Sequence, residues 1–217
     1  MTLAVDAAPS RAGRIGPNAV IRTAEAFAAI EGAPALKRLF ASVGLEDYLA
    51  HPPEAMVDEA EVTALHKAVH AAVGDAHART VGWIAGQRTA DYLMANRIPG
   101  LAQSVMKGLP APLASRLLAT AIGKNAWTFV GGGDFAARHG RCVSFTVANC
   151  PLCRGTRSDL PWCDFYAGTF ERLYARLVHP QARVRETTCC ARGDDACRFE
   201  IRWDRRKTRL AEPPLLN

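Results

Sequence analysis

The sequence of 217 residues predicts an α+β domain in which helices cover a mostly antiparallel sheet. As far as Lys124, apolar side chains recur at the three- and four-residue spacing of amphipathic helices. Beyond that point the pattern changes to short alternating stretches separated by glycine turns, with one further helix among them. Apolar residues make up 49% of the chain and charged residues 22%, which is typical of a folded globular protein.

The helical part divides into two long and two shorter helices. Residues 59–73 carry apolar side chains on one face, and residues 75–97 repeat the pattern until Pro99 and Gly100 end it. The prolines of the segment 109–112 predict a break between the two shorter helices that follow.

The part beyond Lys124 is predicted to form the sheet. Its elements in order are strands at 127–130 and 142–147, a helix preceded by Ser158 or Asp159, and a hairpin of strands 182–189 and 196–203. The order of elements, helices first and then mostly strands, favours an α+β arrangement over alternating βαβ units.

One domain is expected, with boundaries at residues 21–205. It is flanked by a flexible extension at residues 1–20 and a basic tail at residues 206–217. The start lacks a signal-peptide core and no apolar run is long enough to span a membrane, so the chain is expected in the cytoplasm. The net charge is +6, but no nucleic-acid-binding motif accompanies the basic residues, and no nucleic-acid partner is expected.

All seven cysteines lie between Cys142 and Cys197. Thiols stay reduced in the cytoplasm, so this clustering indicates metal binding rather than a disulfide framework. If the hairpin turns about Gly193, Cys189 lies opposite Cys197 on the same face of the two strands, and Cys190 points the other way.

Two further ligands are candidates for the same site. Cys163 lies in the opening turn of the long helix, where the helix dipole favours a thiolate. Glu186 is three residues from Cys189, so a bulge or a strand end is required to bring both to one face. Three thiolates and one carboxylate would form a closed tetrahedral site that suits structural zinc. The rival set is the CxxC pair Cys150 and Cys153, which suits half of a zinc knuckle or a redox dithiol.

The segment 184–199, preceded by Cys-Asp-Phe-Tyr at 163–166, resembles the 4-vinyl-reductase domain family. The zinc-binding sensor members of that family use a cysteine, a glutamate and two cysteines in this order and spacing. The resemblance covers about residues 83–203, with the zinc-binding part at 142–203, and it implies an α/β fold shared with vesicle-tethering subunits and nitric-oxide sensor domains. It also implies a homodimer. The zinc ligands that it implies are Cys163, Glu186, Cys189 and Cys197.

The helical N-terminal part and the stretch 149–155 resemble the members of this family that serve bacteriochlorophyll synthesis. That resemblance implies a protein that binds a tetrapyrrole intermediate, a magnesium porphyrin or divinyl chlorophyllide, and presents it to pathway enzymes. The alternatives are a reductase of the 8-vinyl group (4-vinyl in older numbering), as the family name implies, and a small-molecule sensor. No nicotinamide or flavin fingerprint and no P-loop is evident, since the glycines 131–133 lack the required spacing. The sequence therefore favours a binding protein.

A magnesium tetrapyrrole needs an axial nitrogen or oxygen ligand and flat apolar walls. The residues that can supply them are His66, His70, Trp83, Trp127 and Phe129. The same residue types equally suit an ordinary core and surface, because helical spacing alone does not separate the two interpretations.

The segment 101–122 has two interpretations as well. Its apolar and basic residues, such as Leu117 and Lys107, suit a peripheral position at the photosynthetic membrane, where hydrophobic pigments partition. They suit packing in a dimer equally well.

Overall fold

Most of the helices precede a small sheet in the sequence, and one lies between its strands. The computed structural model describes residues 13–140 and 142–203. Its helices are α1 (Asn18–Glu31), α2 (Ala33–Ala41), α3 (Asp47–Ala50), α4 (Glu59–Asn96), α5 (Gly100–Gly108), α6 (Ala111–Lys124) and α7 (Asp164–Leu177). Its strands are β1 (Arg14–Ile15), β2 (Val57–Asp58), β3 (Asp134–His139), β4 (Val143–Ala148), β5 (Arg183–Thr188) and β6 (Ala196–Arg202).

The main sheet has the strand order β3-β4-β6-β5, and every neighbouring pair is antiparallel. Together with the helices it confirms the predicted α+β class. The register pairs Phe145 with Phe199 and Val147 with Cys197, so alternate residues of β4 and β6 face the core. The short strands β1 and β2 form a separate antiparallel ribbon.

Helix α7 packs against both the sheet and α4. Phe170 makes edge-on ring contacts with Phe145 and Phe199, with ring centroids 5.0 Å and 5.5 Å apart. On the other side, a Cβ atom at Gly86 of α4 would lie 2.2 Å from the carbonyl oxygen of Phe165. Only glycine allows the two backbones to approach this closely, and this approach fixes the start of α7 relative to the rest of the fold.

Several predicted elements are confirmed. Helix α4 is interrupted at Gly74, whose φ of 73° is not helical, and this break matches the two long helices that were predicted. Helices α5 and α6 meet at the expected proline segment, and strands β5 and β6 form the expected hairpin. Among the helices of the described residues, none combines the length and apolar character needed to cross a bilayer.

The stretch 127–130 was wrongly predicted as a strand. Residues Ala126–Thr128 form a 3-10 helix, because the N–H groups of Thr128 and Phe129 bond to carbonyls three residues back and not to another strand. The strand at this end of the sheet is β3, which was not predicted. It is an edge strand whose side chains are mostly exposed, so its sequence lacks the alternation of a half-buried strand.

Two boundaries also differ from the prediction. The expected flexible extension at residues 1–20 overlaps β1 and the first residues of α1, where Ile15 and Val20 are buried. Helix α7 begins at Asp164, later than predicted, because the backbone of Cys163 is not helical (φ −98°, ψ 43°); the N–H of Cys163 donates to the Glu186 carboxylate. Residues 1–12 and the predicted basic tail at 206–217 lie outside the described residues.

Candidate metal centre and surface pocket

Four buried side chains from three segments meet beneath the start of α7. Cys163 precedes the first residue of that helix, Glu186 lies on β5, Cys189 follows the end of β5, and Cys197 lies on β6. Their ligand atoms all lie within 4.8 Å of one another. They are the four residues for which the sequence predicted a shared ion, and this buried set can hold a metal.

A bulge brings the glutamate to the cysteine side of the hairpin. The pairing of β5 with β6 shifts between Glu186 and Thr188, and β5 ends immediately before Cys189. The chain then reverses through a 3-10 turn and Gly193, whose φ of 91° lies in the left-handed region. The Asp194 carboxylate accepts a hydrogen bond from the Cys189 N–H at 2.8 Å and closes this turn.

The spacing of the donor atoms fits a tetrahedral ion. The Sγ atom of Cys197 lies 3.6 Å from that of Cys163 and 3.9 Å from that of Cys189. A tetrahedron of thiolates bound to zinc at the usual bond length has edges of about 3.8 Å. These two distances are therefore compatible with thiolates around a zinc ion.

Glu186 provides independent evidence for a cation site. Its Oε2 atom accepts a hydrogen bond from the Cys163 N–H at 2.9 Å, whereas its buried Oε1 atom has no hydrogen-bond partner among the described residues. Burial, and then the nearby Cys189, raise the pKa of Glu186 well above its usual range. A bound cation would satisfy the free oxygen and favour the ionised carboxylate.

The CxxC pair lies in the same cluster. Cys150 Sγ is 3.5 Å from Cys163 Sγ, and Cys153 Sγ is 3.5 Å from Cys197 Sγ. These four sulfur atoms also lie within 4.8 Å of one another. The sequence presents this pair as a rival of the predicted site and does not indicate its contact with that site. The pairing of Val147 with Cys197, which places the end of β4 beside the metal ligands, would have revealed it.

The two other cysteines belong to neither four-residue set. The backbone N–H of Cys190 donates to Cys197 Sγ at 3.4 Å, and its thiol is in neither set. Cys142 is half-buried, immediately before β4.

The predicted histidines line a small internal cavity. His66 and His70 lie on α4 and face Trp162 and Phe165 in a space of about 10 Å³, about the room of one water molecule. The rings of His70 and Trp162 are stacked, with centroids 3.4 Å apart. The Nδ1 atom of His70 forms a hydrogen bond with the Asp75 carboxylate at 2.8 Å. Burial lowers the pKa of His66 to about 4. As it stands, this cavity is far too small for a tetrapyrrole.

A larger pocket opens on the surface beside Trp127. Its volume is about 490 Å³, and its lining includes Arg14, Met56 and Gly131. Trp127 is 64% exposed, and the Arg14 guanidinium donates to the Met56 carbonyl. Such a pocket can receive a ligand with an apolar face and an anionic group.

The five predicted pigment-binding residues thus lie in different places. His66 and His70 share the internal cavity, and Trp127 lines the surface pocket. Phe129 belongs to an aromatic cluster with Phe135 and Tyr166, while Trp83 is half-buried on α4. The structure does not bring the five together.

Comparison with known proteins gives both family and fold. The model of the 4-vinyl-reductase domain family matches residues 143–203. The chain is 43% identical to the bacteriochlorophyll synthase 23 kDa chain of Cereibacter sphaeroides over 196 residues, which is 89% of this chain and 92% of that one. It is 36% identical to the protein of the same description from Rhodobacter capsulatus over 197 residues, 91% of each chain.

The fold occurs in a distant group as well. A solved structure from work probing the function of heme distortion in the H-NOX family matches with a TM-score of 0.55 and 13% identity. The match covers 87% of this chain and 95% of that one. At this level of identity it shows a shared fold only.

Proposed function

Since the chain belongs to the family of the bacteriochlorophyll synthase 23 kDa chain, we propose that it serves bacteriochlorophyll synthesis by binding a tetrapyrrole intermediate and presenting it to pathway enzymes. The observation that carries this proposal is the 43% identity that extends over nearly the whole of both chains. The ligand is a magnesium porphyrin or divinyl chlorophyllide.

The surface pocket supports the proposal by its chemistry. The exposed Trp127 ring offers a flat wall for stacking, and Met56 adds a polarisable apolar contact. The Arg14 guanidinium suits the carboxylate that such pigments carry. A volume of about 490 Å³ falls within the range of small-molecule sites.

Titration of the purified protein with magnesium protoporphyrin tests this assignment. Trp127→Ala should weaken binding about tenfold, since loss of stacking and apolar contact costs about 1.4 kcal/mol. Leu101→Ala is the matched control, because Leu101 is 79% exposed on α5 and lines neither pocket. A loss of affinity in His66→Gln but not in Trp127→Ala would contradict the surface pocket and would favour the region around the internal cavity.

The same titration separates a binding protein from a reductase. NADPH is added to the complex with divinyl chlorophyllide, and the absorption spectrum of the pigment is followed. Tight binding without vinyl reduction is the expected result. Reduction by the protein alone would overturn the carrier interpretation and make the chain an 8-vinyl reductase.

The metal in the buried set is zinc, in a structural role. Cys163, Glu186, Cys189 and Cys197 would fill all four positions around a tetrahedral zinc ion and so leave none for a substrate or a reactive water. The ion would join the start of α7 to the β5–β6 hairpin and contribute directly to folding. Cys189→Ser should lower both the zinc content and the melting temperature, whereas Cys142→Ser, outside the set, should change neither. An unchanged zinc content in Cys189→Ser would refute this ligand assignment.

Helices α5 and α6 would supply a peripheral contact with an anionic membrane. Leu101 and Val105 on α5, and Leu113 and Leu117 on α6, are all at least 45% exposed. The surrounding segment 97–133 has four basic residues and no acidic one. This charge favours anionic lipid over a second copy of the same basic surface.

Co-sedimentation with vesicles tests that contact. The protein should sediment with anionic vesicles and not with neutral ones, and Leu101→Glu should weaken the binding. Ile30→Glu is the control, since Ile30 is an exposed apolar residue on α1. A dimer in vesicle-free solution that Leu101→Glu dissociates would assign the surface to the expected homodimer instead.

A further inference from the structure

Six buried donors around the start of α7 form two tetrahedral sets that share one edge. The first set is Cys163, Glu186, Cys189 and Cys197, and the second is Cys150, Cys153, Cys163 and Cys197. We propose that the cluster binds two zinc ions, bridged by the thiolates of Cys163 and Cys197. Glu186 and Cys189 complete the site of the first ion, and Cys150 and Cys153 complete that of the second. This inference rests on the zinc site proposed above and adds a second ion to it.

The geometry of the second set matches that of the first. The shared edge between Cys163 Sγ and Cys197 Sγ is 3.6 Å long. Cys150 lies 3.5 Å from one end of this edge, and Cys153 lies 3.5 Å from the other end. All three distances are close to the edge of about 3.8 Å expected for thiolates around zinc. The sulfur atoms of the pair are therefore close enough to the shared edge to bind a second ion together with it.

The loop that carries the pair is fixed from outside the cluster. Arg154 donates to the side chain and to the carbonyl of Asn149, both at 2.9 Å, and forms an ion pair with Glu59 of α4. Asn149 itself adopts a φ of 49°, in the left-handed region where asparagine is tolerated. These contacts hold Cys150 and Cys153 by bonds that involve neither thiol. Such positioning by neighbouring residues is what a metal site needs.

The balance of charge differs between a centre with two ions and a centre with one. Fully ionised, five thiolates and one carboxylate carry six negative charges, and two zinc ions reduce the net charge to −2. With a single ion in the first set, Cys150 and Cys153 would be left without a metal, in contact with the bound thiolates. The number of ions per chain therefore decides between a dinuclear centre and a mononuclear one with two neighbouring thiols.

Native mass spectrometry of the reduced, zinc-loaded protein counts the ions, and elemental analysis confirms the metal. We expect two zinc ions per wild-type chain and one in the double variant Cys150→Ser, Cys153→Ser. The control Cys142→Ser should keep both, since that thiol belongs to neither set.

Each outcome has a definite meaning. One ion in the wild type overturns the second site and leaves the proposed zinc site intact, whereas no ion overturns both proposals. Two ions in both the wild type and the Cys150/Cys153 double variant would place the second ion elsewhere and would also refute the bridged cluster.

A cadmium-substituted wild-type protein provides a test that does not depend on the folding of a variant. Its ¹¹³Cd spectrum should contain two signals, because one ion has four sulfur donors and the other has three sulfurs and an oxygen. The two signals should be coupled to each other through the bridging thiolates. A single signal at saturating cadmium would refute the dinuclear centre.

Discussion

The close approach of α4 and α7 makes Gly86→Ala a sensitive test of how the metal centre is supported. A Cβ atom at this position would lie 2.2 Å from the Phe165 carbonyl oxygen and 2.8 Å from the Thr169 nitrogen. Both obstacles are backbone atoms, which cannot rotate away as a flexible side chain can. The helices would have to separate by roughly 1 Å to restore ordinary contact distances.

The expected loss of stability follows from this separation. Overpacking costs about 1–3 kcal/mol, and we expect the upper end because backbone is involved on both sides. The gain in helix propensity from glycine to alanine, about 1 kcal/mol, offsets part of any larger cost. A net loss of about 3 kcal/mol corresponds to a melting temperature lower by about 6–12 °C in a chain of this size.

Thermal unfolding followed by circular dichroism measures the effect, with Gly108→Ala as the control. Nothing lies within 4 Å of a Cβ atom at Gly108, so that variant should melt at the wild-type temperature or slightly above it. Gly86→Ala should also retain zinc less tightly, because Cys163 moves with α7 and metal–ligand distances tolerate only about 0.2 Å. Melting of Gly86→Ala within about 2 °C of the wild type would refute the argument that this contact is rigid.

Two predictions concern buried charges and pH. Burial raises the pKa of Glu59, but the hydrogen bond from Arg154 and then the Gly132 N–H outweigh it and lower the pKa overall. Glu59→Gln should therefore lower the free energy of unfolding by about 1.5–3 kcal/mol at pH 7. This loss should shrink as the pH falls below about 4, where the carboxyl group of the unfolded chain is protonated. Asp91 belongs to an exposed ion pair, so an equal loss of stability in Asp91→Asn would contradict the role of burial. His66 has a pKa of about 4 in the folded protein, against about 6.5 in the unfolded chain. As the pH falls from 6.5, the unfolded chain therefore binds a proton at this residue before the folded protein does. This should lower the free energy of unfolding by about 3 kcal/mol by pH 4. Urea unfolding of His66→Gln should lack this part of the pH dependence, and an unchanged slope would show that His66 does not titrate in this way.

The sequence predicts the elements whose patterns are local. The break at Gly74 and the hairpin around Gly193 both follow from helical or strand periodicity interrupted by glycine. The resemblance makes Glu186 and Cys189 ligands of one ion, and a regular strand would place them on opposite faces, so a bulge is expected between them. The shift in the pairing of β5 with β6 between Glu186 and Thr188 is this bulge. These features depend on residues close together in the sequence, so a single chain is sufficient to predict them.

The remaining features depend on contacts between distant segments. Strand β3 was missed because an exposed edge strand lacks the alternation that predicts a strand. The contact of Cys150 with Cys163 depends on the pairing of β4 with β6, which no local pattern specifies. The spacing of His66 and His70 correctly indicates one face of a helix, but it does not show that Phe165 and Trp162 close that face to a large ligand.

A continuous set of contacts joins the metal cluster to the surface pocket, and this arrangement predicts that the two sites are coupled. Arg154 holds the loop of Cys150 and Cys153 and forms an ion pair with Glu59. The Glu59 carboxylate in turn accepts a hydrogen bond from the Gly132 N–H at 2.7 Å. The neighbouring residue, Gly131, lines the pocket. Removal of the metal should loosen this loop and so weaken binding of magnesium protoporphyrin. Glu59→Gln should interrupt the contacts between the two sites, so that the variant keeps the zinc ion of the first set but its pigment affinity no longer responds to chelation. Such coupling needs an element whose position both sites influence, and we expect the loop around Gly132 to be that element. Equal sensitivity to chelation in the wild type and in Glu59→Gln would show that the two sites are coupled by another route or through folding as a whole.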